Sequence, residues 1–435
     1  MVKFILVISY FSISGMEKEE KELIRNNYIY VSHKDPLQIH QLLGNYTADK
    51  NVTSLKLILK SRNRNANESN DYVSKTLDPE ELTEQKELKK GDIESFSGSP
   101  YVLETDTINN SFFKADQQSK QNNTLSLSKH ESIVQKVTVT DTETTQSNPF
   151  IAHNQPIEKM FYDDGLLLTQ SRFNIESQLG FNLGWNIHAW DVTGDENPKK
   201  PFKKITKAFL LDFKHNTCVY AEKKALHGSL ELKIGFELNK NNGTFKDTTT
   251  VFEFPAGTSS KLLPACFIRK DENSVKVLLF QDSLKKIVHI SYDIQTHKIE
   301  KNALFMSNVM IKDEWSYLQN VLLHRTPIAI CCAGTRYMLL YDDSYYVLEK
   351  QSSNRLELID YRLFSSSDTI ITMQKSLFDE KNNTLYGIGY AKLFEKGKEK
   401  EEKSSFFRFK NKKNVFHIFK YVLKDKEAAE IEDEE

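Results

Sequence analysis

Two carboxylate pairs are the first residues whose types and spacing could do chemistry, Asp163/Asp164 and Asp342/Asp343. Two carboxyl groups about 5–10 Å apart across a pocket would suit glycosidic bond hydrolysis, one as acid and one as nucleophile or base. Both pairs, however, are adjacent in sequence and flanked by apolar runs, as a hairpin turn requires. Turn use is therefore the expectation for both. The segment Trp185–Asp191 (WNIHAWD) holds Trp185, His188, Trp190 and Asp191. In a strand its two tryptophans fall on opposite faces. One could stack on a sugar or a partner's side chain at a rim, and at least one belongs to the core. His188 has no second ligand nearby in sequence, so no metal is expected there.

The four cysteines are Cys218, Cys266, Cys331 and Cys332. Outside the cell an even number permits two disulfides, and at least one is expected. The alternative is buried thiols acting as small hydrophobes. Adjacent Cys331 and Cys332 would point to opposite faces of one strand. The sequence holds no Cys-x-x-Cys, no nucleophile elbow, no phosphate-binding glycine loop and no His-Glu-x-x-His. No catalytic residue, metal or cofactor is expected.

Between Lys403 and Lys420 six basic residues occur without an acid, among five phenylalanines. Arg408, Lys410, Lys412 and Lys413 form a candidate patch for an anionic ligand, a sulfated glycan or an anionic lipid. The plainer expectation is a last hairpin, with Phe407 and Phe409 inward and the basic side chains outward. The acidic segment 424–435 then reads as a solvated tail.

The N-terminus speaks to compartment. Lys3 precedes the apolar run Phe4–Ile13, and small residues Ser12, Ser14 and Gly15 come before the first acid, Glu17. That order marks residues 1–15 as a secretory signal peptide. The run is half the ~20 residues a spanning helix needs, and no transmembrane anchor is expected. Seven Asn-x-Ser/Thr sites, at Asn45, Asn51, Asn67, Asn109, Asn122, Asn242 and Asn382, are candidates for N-glycosylation.

Overall composition excludes some partners. The chain has 435 residues, 59 basic and 60 acidic, for a net charge of -1. That balance argues against a dedicated nucleic-acid binder. Apolar residues reach only 39%. The deficit concentrates in residues 61–152, rich in Asn, Ser, Thr, Lys and Glu, which are read as a largely disordered linker. Within it only Ile133–Thr140 alternates like a strand.

These residues need elements to position them, and the pattern offers strands. Residues 16–60 suggest one or two, with Tyr28–Val31 and Leu55–Leu59 as candidates. From 153 to 423 short β-branched and aromatic runs recur, separated by turn formers such as Asp-Asp-Gly and Asn-Asn-Gly. Asp313–Leu323 is the best helical candidate. So many strands exceed one sandwich and fit an all-β, β-propeller-like domain of five or six blades. Tyr28–Val31 or Leu55–Leu59 is expected to add a strand to the last blade. Met160–Leu168 resembles Met338–Tyr346, each a strand, a Tyr-Asp-Asp turn and a strand; a common turn arising twice explains this better than a repeat. The functional expectation is a secreted glycoprotein that binds an extracellular protein or glycan without catalysis. The alternatives are a secreted hydrolase acting on glycans in the propeller's central pocket, and a cytosolic interaction protein.

Overall fold

The computed structural model describes ten strands between residues 28 and 146, and residues 148–423 except 156, 178–179, 194–197, 199, 224–228, 255–264, 353–354, 365–368 and 394–413. The expected signal peptide, the acidic tail and the patch Arg408, Lys410, Lys412 and Lys413 lie outside the described residues.

Residues 157–422 build five antiparallel blades of a β-propeller. The first contains Ile157–Asp163, Leu166–Ser177, Gly180–Asp191 and Lys203–Thr206; the second contains Ala208–Lys214, Thr217–Lys223, Leu230–Asn239 and Thr244–Phe254. The third runs from Cys266–Lys270 through Ser274–Gln281 and Lys286–Asp293 to Ile299–Phe305. Ala329–Ala333, Arg336–Leu340, Ser344–Ser352 and Arg355–Leu363 make the fourth. The fifth consists of Thr369–Asp379, Thr384–Leu393 and Asn414–Val422, closed by Tyr28–Val31. Tyr28 lies opposite His417 and Val31 opposite Asn414, so the start of the chain completes a blade begun near its end. Of the two strands expected to close the ring, Tyr28–Val31 does so.

Leu55–Leu59 lies instead within Val52–Ser61, in a sheet with Leu37–Tyr46, Asp71–Leu77 and Glu94–Ser97. A further sheet holds Leu103–Asp106, Ser111–Ser119, His130–Val139 and Thr144–Gln146. Innermost strands touch from the first blade through the second and third to the fourth, and the fourth blade's core takes in Ile371, Met373 and Phe378 of the fifth. Leu37–Tyr46 contacts the fifth blade's Thr369–Asp379 and also Leu103–Asp106, which contacts Ile157–Asp163 of the first blade. The circuit thus passes through seven sheets.

Within 61–152, where a linker is expected, the described residues form paired strands. The physical reason lies in the neighbours. Phe113, Ala115 and Val134 bury against Ile157, Met160, Leu167 and Trp190 of the first blade. Leu55, Leu57 and Leu59 bury against Ile388, Phe416 and Ile418 of the fifth. A segment too polar to make its own core can still complete one that adjoining sheets supply.

Alternation builds the blades. In Leu230–Asn239, Leu232 and Ile234 are fully buried while Glu231 and Lys233 reach solvent. Such faces pack sheet against sheet, so the cores sit between adjacent blades. Two hairpins turn through residues with positive φ: Asp164 (45°) and Gly165 (79°), then His215 (51°) and Asn216 (55°). Both pairs suit the mirror-image turns whose twist matches that of strands. A Cβ on Gly165 would stand 2.0 Å from the Thr193 methyl, so glycine is required there on two counts. The helical candidate forms a 3₁₀ turn, Asp313–Leu318, leading into an α-helix, Gln319–His324.

The strand order defines two faces. Turns between first and second strands open on one, the turn face; connections between blades open on the other, the connection face. The Tyr-Asp-Asp turn at Tyr162 joins a first to a second strand, whereas that at Tyr341 joins a second to a third. They lie on opposite faces, which agrees with a common turn rather than a repeat.

Candidate functional site

Charged side chains meet at the ring's centre. The second and fifth blades are not neighbours, yet their first hairpins bond directly. His215 Nε2 lies 2.8 and 3.1 Å from the two oxygens of Glu380, and Lys214 pairs with the same carboxylate. Burial opposes the charge on Glu380, but the hydrogen bond from His215 and the nearby Lys214 outweigh it and hold its pKa down at about 2. Beside this brace, Arg269 of the third blade donates to the Cys332 carbonyl oxygen at 3.1 Å and to Asn383 Oδ1 of the fifth at 2.7 Å. The brace sits where the turn face meets the central axis.

Further along the inner strands stand Lys159 and Asp212, both half-buried. Lys159 donates to the Leu210 carbonyl oxygen at 3.0 Å and lies 4.3 Å from the Phe209 ring centre. Burial lowers its pKa to about 8. Asp212 accepts from its neighbour's N–H, Phe213, at 2.8 Å. Burial pushes it up to about 6, against the pull of Lys214 and Lys159, and the Glu380 charge adds to the rise. The centre thus holds one carboxyl inclined to keep its proton and one inclined to lose it.

The residues singled out from sequence fare differently. Asp164 is a turn residue, and Asp163 accepts the Asn216 N–H at 2.9 Å, fastening the first blade to the second. Burial raises the Asp163 pKa. Asp342 and Asp343 form the turn before Ser344 and are gripped by Arg325. Its Nη1 donates to both Asp343 oxygens, at 2.7 and 2.8 Å, and its Nη2 to Asp342. Both pairs serve turns, as expected.

Trp185 and Trp190 do lie on opposite faces. Trp185 is partly exposed, stacks edge-on against Phe209 at 5.3 Å and donates to Glu158 at 3.1 Å. Trp190 is buried and donates to Thr169 Oγ1 at 2.9 Å. That hydroxyl lies 2.8 Å from His153 Nε2, and the other His153 nitrogen lies 2.7 Å from Ser171 Oγ. His188 stacks on His153 at 4.0 Å and reaches the Ala152 carbonyl oxygen at 2.9 Å. This chain fastens the first blade to the segment Phe150–His153. No cluster able to hold a metal occurs among the described residues.

The expected disulfide is corrected: all four cysteines are free thiols. Cys218 packs in the core between first and second blades, and Cys266 against the core between second and third. Cys331 and Cys332 are both buried in the core around the fourth blade, on opposite faces of one strand. Burial raises all four thiol pKa values, leaving inert hydrophobes.

Of the glycosylation candidates, Asn242 and Asn382 are described and exposed. Asn45 lies in the strand Leu37–Tyr46, and nothing of its side chain is described. Asn51, Asn67, Asn109 and Asn122 lie outside the described residues.

Sequence reasoning missed Lys159, Asp212, Lys214, His215 and Glu380. Asp212 carried a signal, being an acid inside the apolar run Ala208–Phe213. It missed a surface feature too. Leu284, Phe305, Met310, Tyr317, Ile328, Leu363 and Ile370 are all exposed. Strand order places Leu284, Phe305, Ile328, Leu363 and Ile370 on the connection face of the third, fourth and fifth blades, and Tyr317 meets Tyr361 near it. Met310, level with Glu357, and the exposed Val422, at the end of a third strand, lie toward the turn face.

No family model matches the sequence, and no curated protein matches it either. Solved structures do resemble it. Sqt1 of Chaetomium thermophilum has a TM-score of 0.44 at 10% identity, over 86% of this chain and 99% of that one. A hypothetical selenium-binding protein from Sulfolobus tokodaii has a TM-score of 0.41 at 12% identity, over 75% and 81%. A prolyl endopeptidase, from a study of two such enzymes, has a TM-score of 0.40 at 7% identity, over 82% of this chain. The present chain spans 47% of that peptidase's length. None of these likenesses speaks to activity.

Proposed function

We propose that this chain is a secreted, non-catalytic binding module that holds another extracellular protein on its connection face. One observation carries the reading: six of the eight exposed large apolar side chains among the described residues gather on that face, where the ring presents its connections. Grouped apolar exposure marks interaction surfaces, whereas scattered single residues do not. Aliphatic residues dominate the group, which favours a protein partner over a glycan. Leu363 and Ile370 sit at a strand end and a strand start, so charge there leaves the ladders intact. The double variant Leu363→Asp, Ile370→Asp is expected to keep the wild-type melting temperature. In side-by-side capture from extracellular fluid, it is expected to lose a partner that the wild type retains, by about tenfold or more. Equal capture by both forms would reject the reading.

A second reading, a hydrolase acting on glycans, draws support from Asp212 and Glu380. Environments that push two carboxyl pKa values apart are how an acid and its ionised companion are assigned. If the central passage is an active site, Asp212→Asn and Glu380→Gln each abolish turnover of a chromogenic glycoside panel while preserving the circular dichroism spectrum. A wild-type chain inactive on the whole panel would remove this reading.

A further inference from the structure

Secretory entry is part of the reading above, and this inference rests on it. Two described Asn-x-Thr sites, Asn242-Gly243-Thr244 and Asn382-Asn383-Thr384, lie in exposed turns on the turn face. The two sites share one motif; their hydrogen bonds set them apart.

Asn242 lies between the third and fourth strands of the second blade, away from the axis. Its Oδ1 accepts from the Thr244 N–H at 3.0 Å and from the Thr244 hydroxyl at 2.7 Å. Its amide Nδ2, the atom to which a glycan is joined, has no protein acceptor among the described residues. The next residue, Gly243, is buried at φ 67°, and a Cβ there would stand 2.5 Å from the Phe202 carbonyl oxygen. The turn is seated by its glycine, and the asparagine is left standing clear.

Asn382 is used by the fold. Its Nδ2 donates to Asp379 Oδ2 at 2.9 Å, and Asp379 is fully buried. The other Asp379 oxygen takes the N–H groups of Lys381 at 3.1 Å and Asn382 at 3.4 Å. Thr384 is buried and turns its hydroxyl to the Asn382 backbone oxygen at 2.9 Å, not to the side chain. The same turn carries Glu380, which spans the ring centre, and Asn383, which receives Arg269. A sugar on this Nδ2 would replace one amide hydrogen and crowd the brace.

We propose that the folded, mature protein carries an N-linked glycan on Asn242 and none on Asn382. In the attachment step Nδ2 of Asn242 attacks the anomeric carbon of a lipid-pyrophosphate oligosaccharide. The new N–C bond forms as the C–O bond to pyrophosphate breaks; Nδ2 gives up one proton and the lipid pyrophosphate leaves. Attachment precedes folding, so selection between the two sites acts at folding. A chain glycosylated on Asn382 has lost space around a partner of a buried carboxylate, and it is held back.

The test expresses the full chain in secreting eukaryotic cells, once with its own leader and once with a leader of proven function. Folded, protease-resistant chain is recovered from lumen and medium. Enzymatic deglycosylation in heavy-oxygen water marks each formerly glycosylated asparagine as labelled aspartate. Label at Asn242, none at Asn382, and an unchanged melting temperature for Asn242→Gln are expected. Asn382→Ala is expected to melt lower. Occupied Asn382 in the folded fraction, or bare Asn242 behind the proven leader, overturns the inference. A glycan on Asn242 behind the proven leader only would sink the secretion reading and leave the inference standing.

Discussion

Lowering the pH from 7 to 4 is expected to remove about 6 kcal/mol of folding stability, enough to unfold an average domain. The cause is buried histidines kept neutral in the folded ring: His153, His289 and His417, with His188, also lowered by burial, acting in the same direction. Burial depresses His153 to about 3, helped by the neighbouring charge of His188. Burial depresses His289 to about 4, with Lys276 and Lys350 adding to the effect, and His417 to about 4, with Arg362 adding. In the unfolded chain each titrates near the ordinary histidine value of about 6.5. Between that value and 4 the unfolded chain therefore binds protons that the folded chain refuses. Their contribution is whole above pH 6.5 and is lost as pH falls, by about 3 kcal/mol at pH 4 for each of His153, His289 and His417. Asp212 has the opposite sign. Its folded pKa, about 6, lies above its unfolded value, so acid favours its folded form and returns about 2 kcal/mol. Asp163, also raised, acts in the same direction. Glu380, held down at about 2, adds its loss only as pH falls below the ordinary glutamate range. Urea unfolding at pH 7 and pH 4 measures the difference. Equal or greater stability at pH 4 would refute the prediction, and His289→Gln is expected to remove about half of the pH-dependent loss, about 3 of about 6 kcal/mol.

How much of this was legible beforehand depended on the range of the interaction involved. Strands such as Ala208–Lys214 announced themselves through local alternation and β-branched residues. The turn at Asp164-Gly165 was legible because two adjacent residues set its backbone. The described strands Ser111–Ser119 and His130–Val139 were less so, because the core that holds Phe113 and Val134 belongs to Trp190 and Leu167, in another blade. Composition counts only what a segment buries in itself. The charged centre was hidden for the same reason. Glu380 and His215 are 165 residues apart and meet only once the ring is closed. The disulfide expectation failed on placement, since cysteine number and compartment say nothing about which core each thiol enters.

Closure is also where the second large effect is expected. A chain beginning at residue 32 should be about 4 kcal/mol less stable than one beginning at residue 16. Tyr28–Val31 pairs along its whole length with Val415, Phe416, His417 and Asn414. Removing it leaves an edge of four unpaired positions at about 1 kcal/mol each. Phe416 and Ile418 are fully buried on that partner strand, and they pack against Leu55 and Leu57 of the adjoining sheet. The loss therefore reaches the joint between the fifth blade and the sheet Leu37–Ser97, on which the circuit depends. An open edge also offers its free backbone groups to another chain, so the truncated form is expected to associate as its concentration rises. Thermal melting and sedimentation of the two forms measure both effects. A peptide covering residues 24–35, added in trans, is expected to restore melting temperature and monomeric state together, since the strand enters without a covalent tether. If the truncated chain melts with the longer one and stays monomeric, Tyr28–Val31 is an ornament on an already closed ring. The brace of Lys214, His215 and Glu380 would then be the element holding second and fifth blades in place.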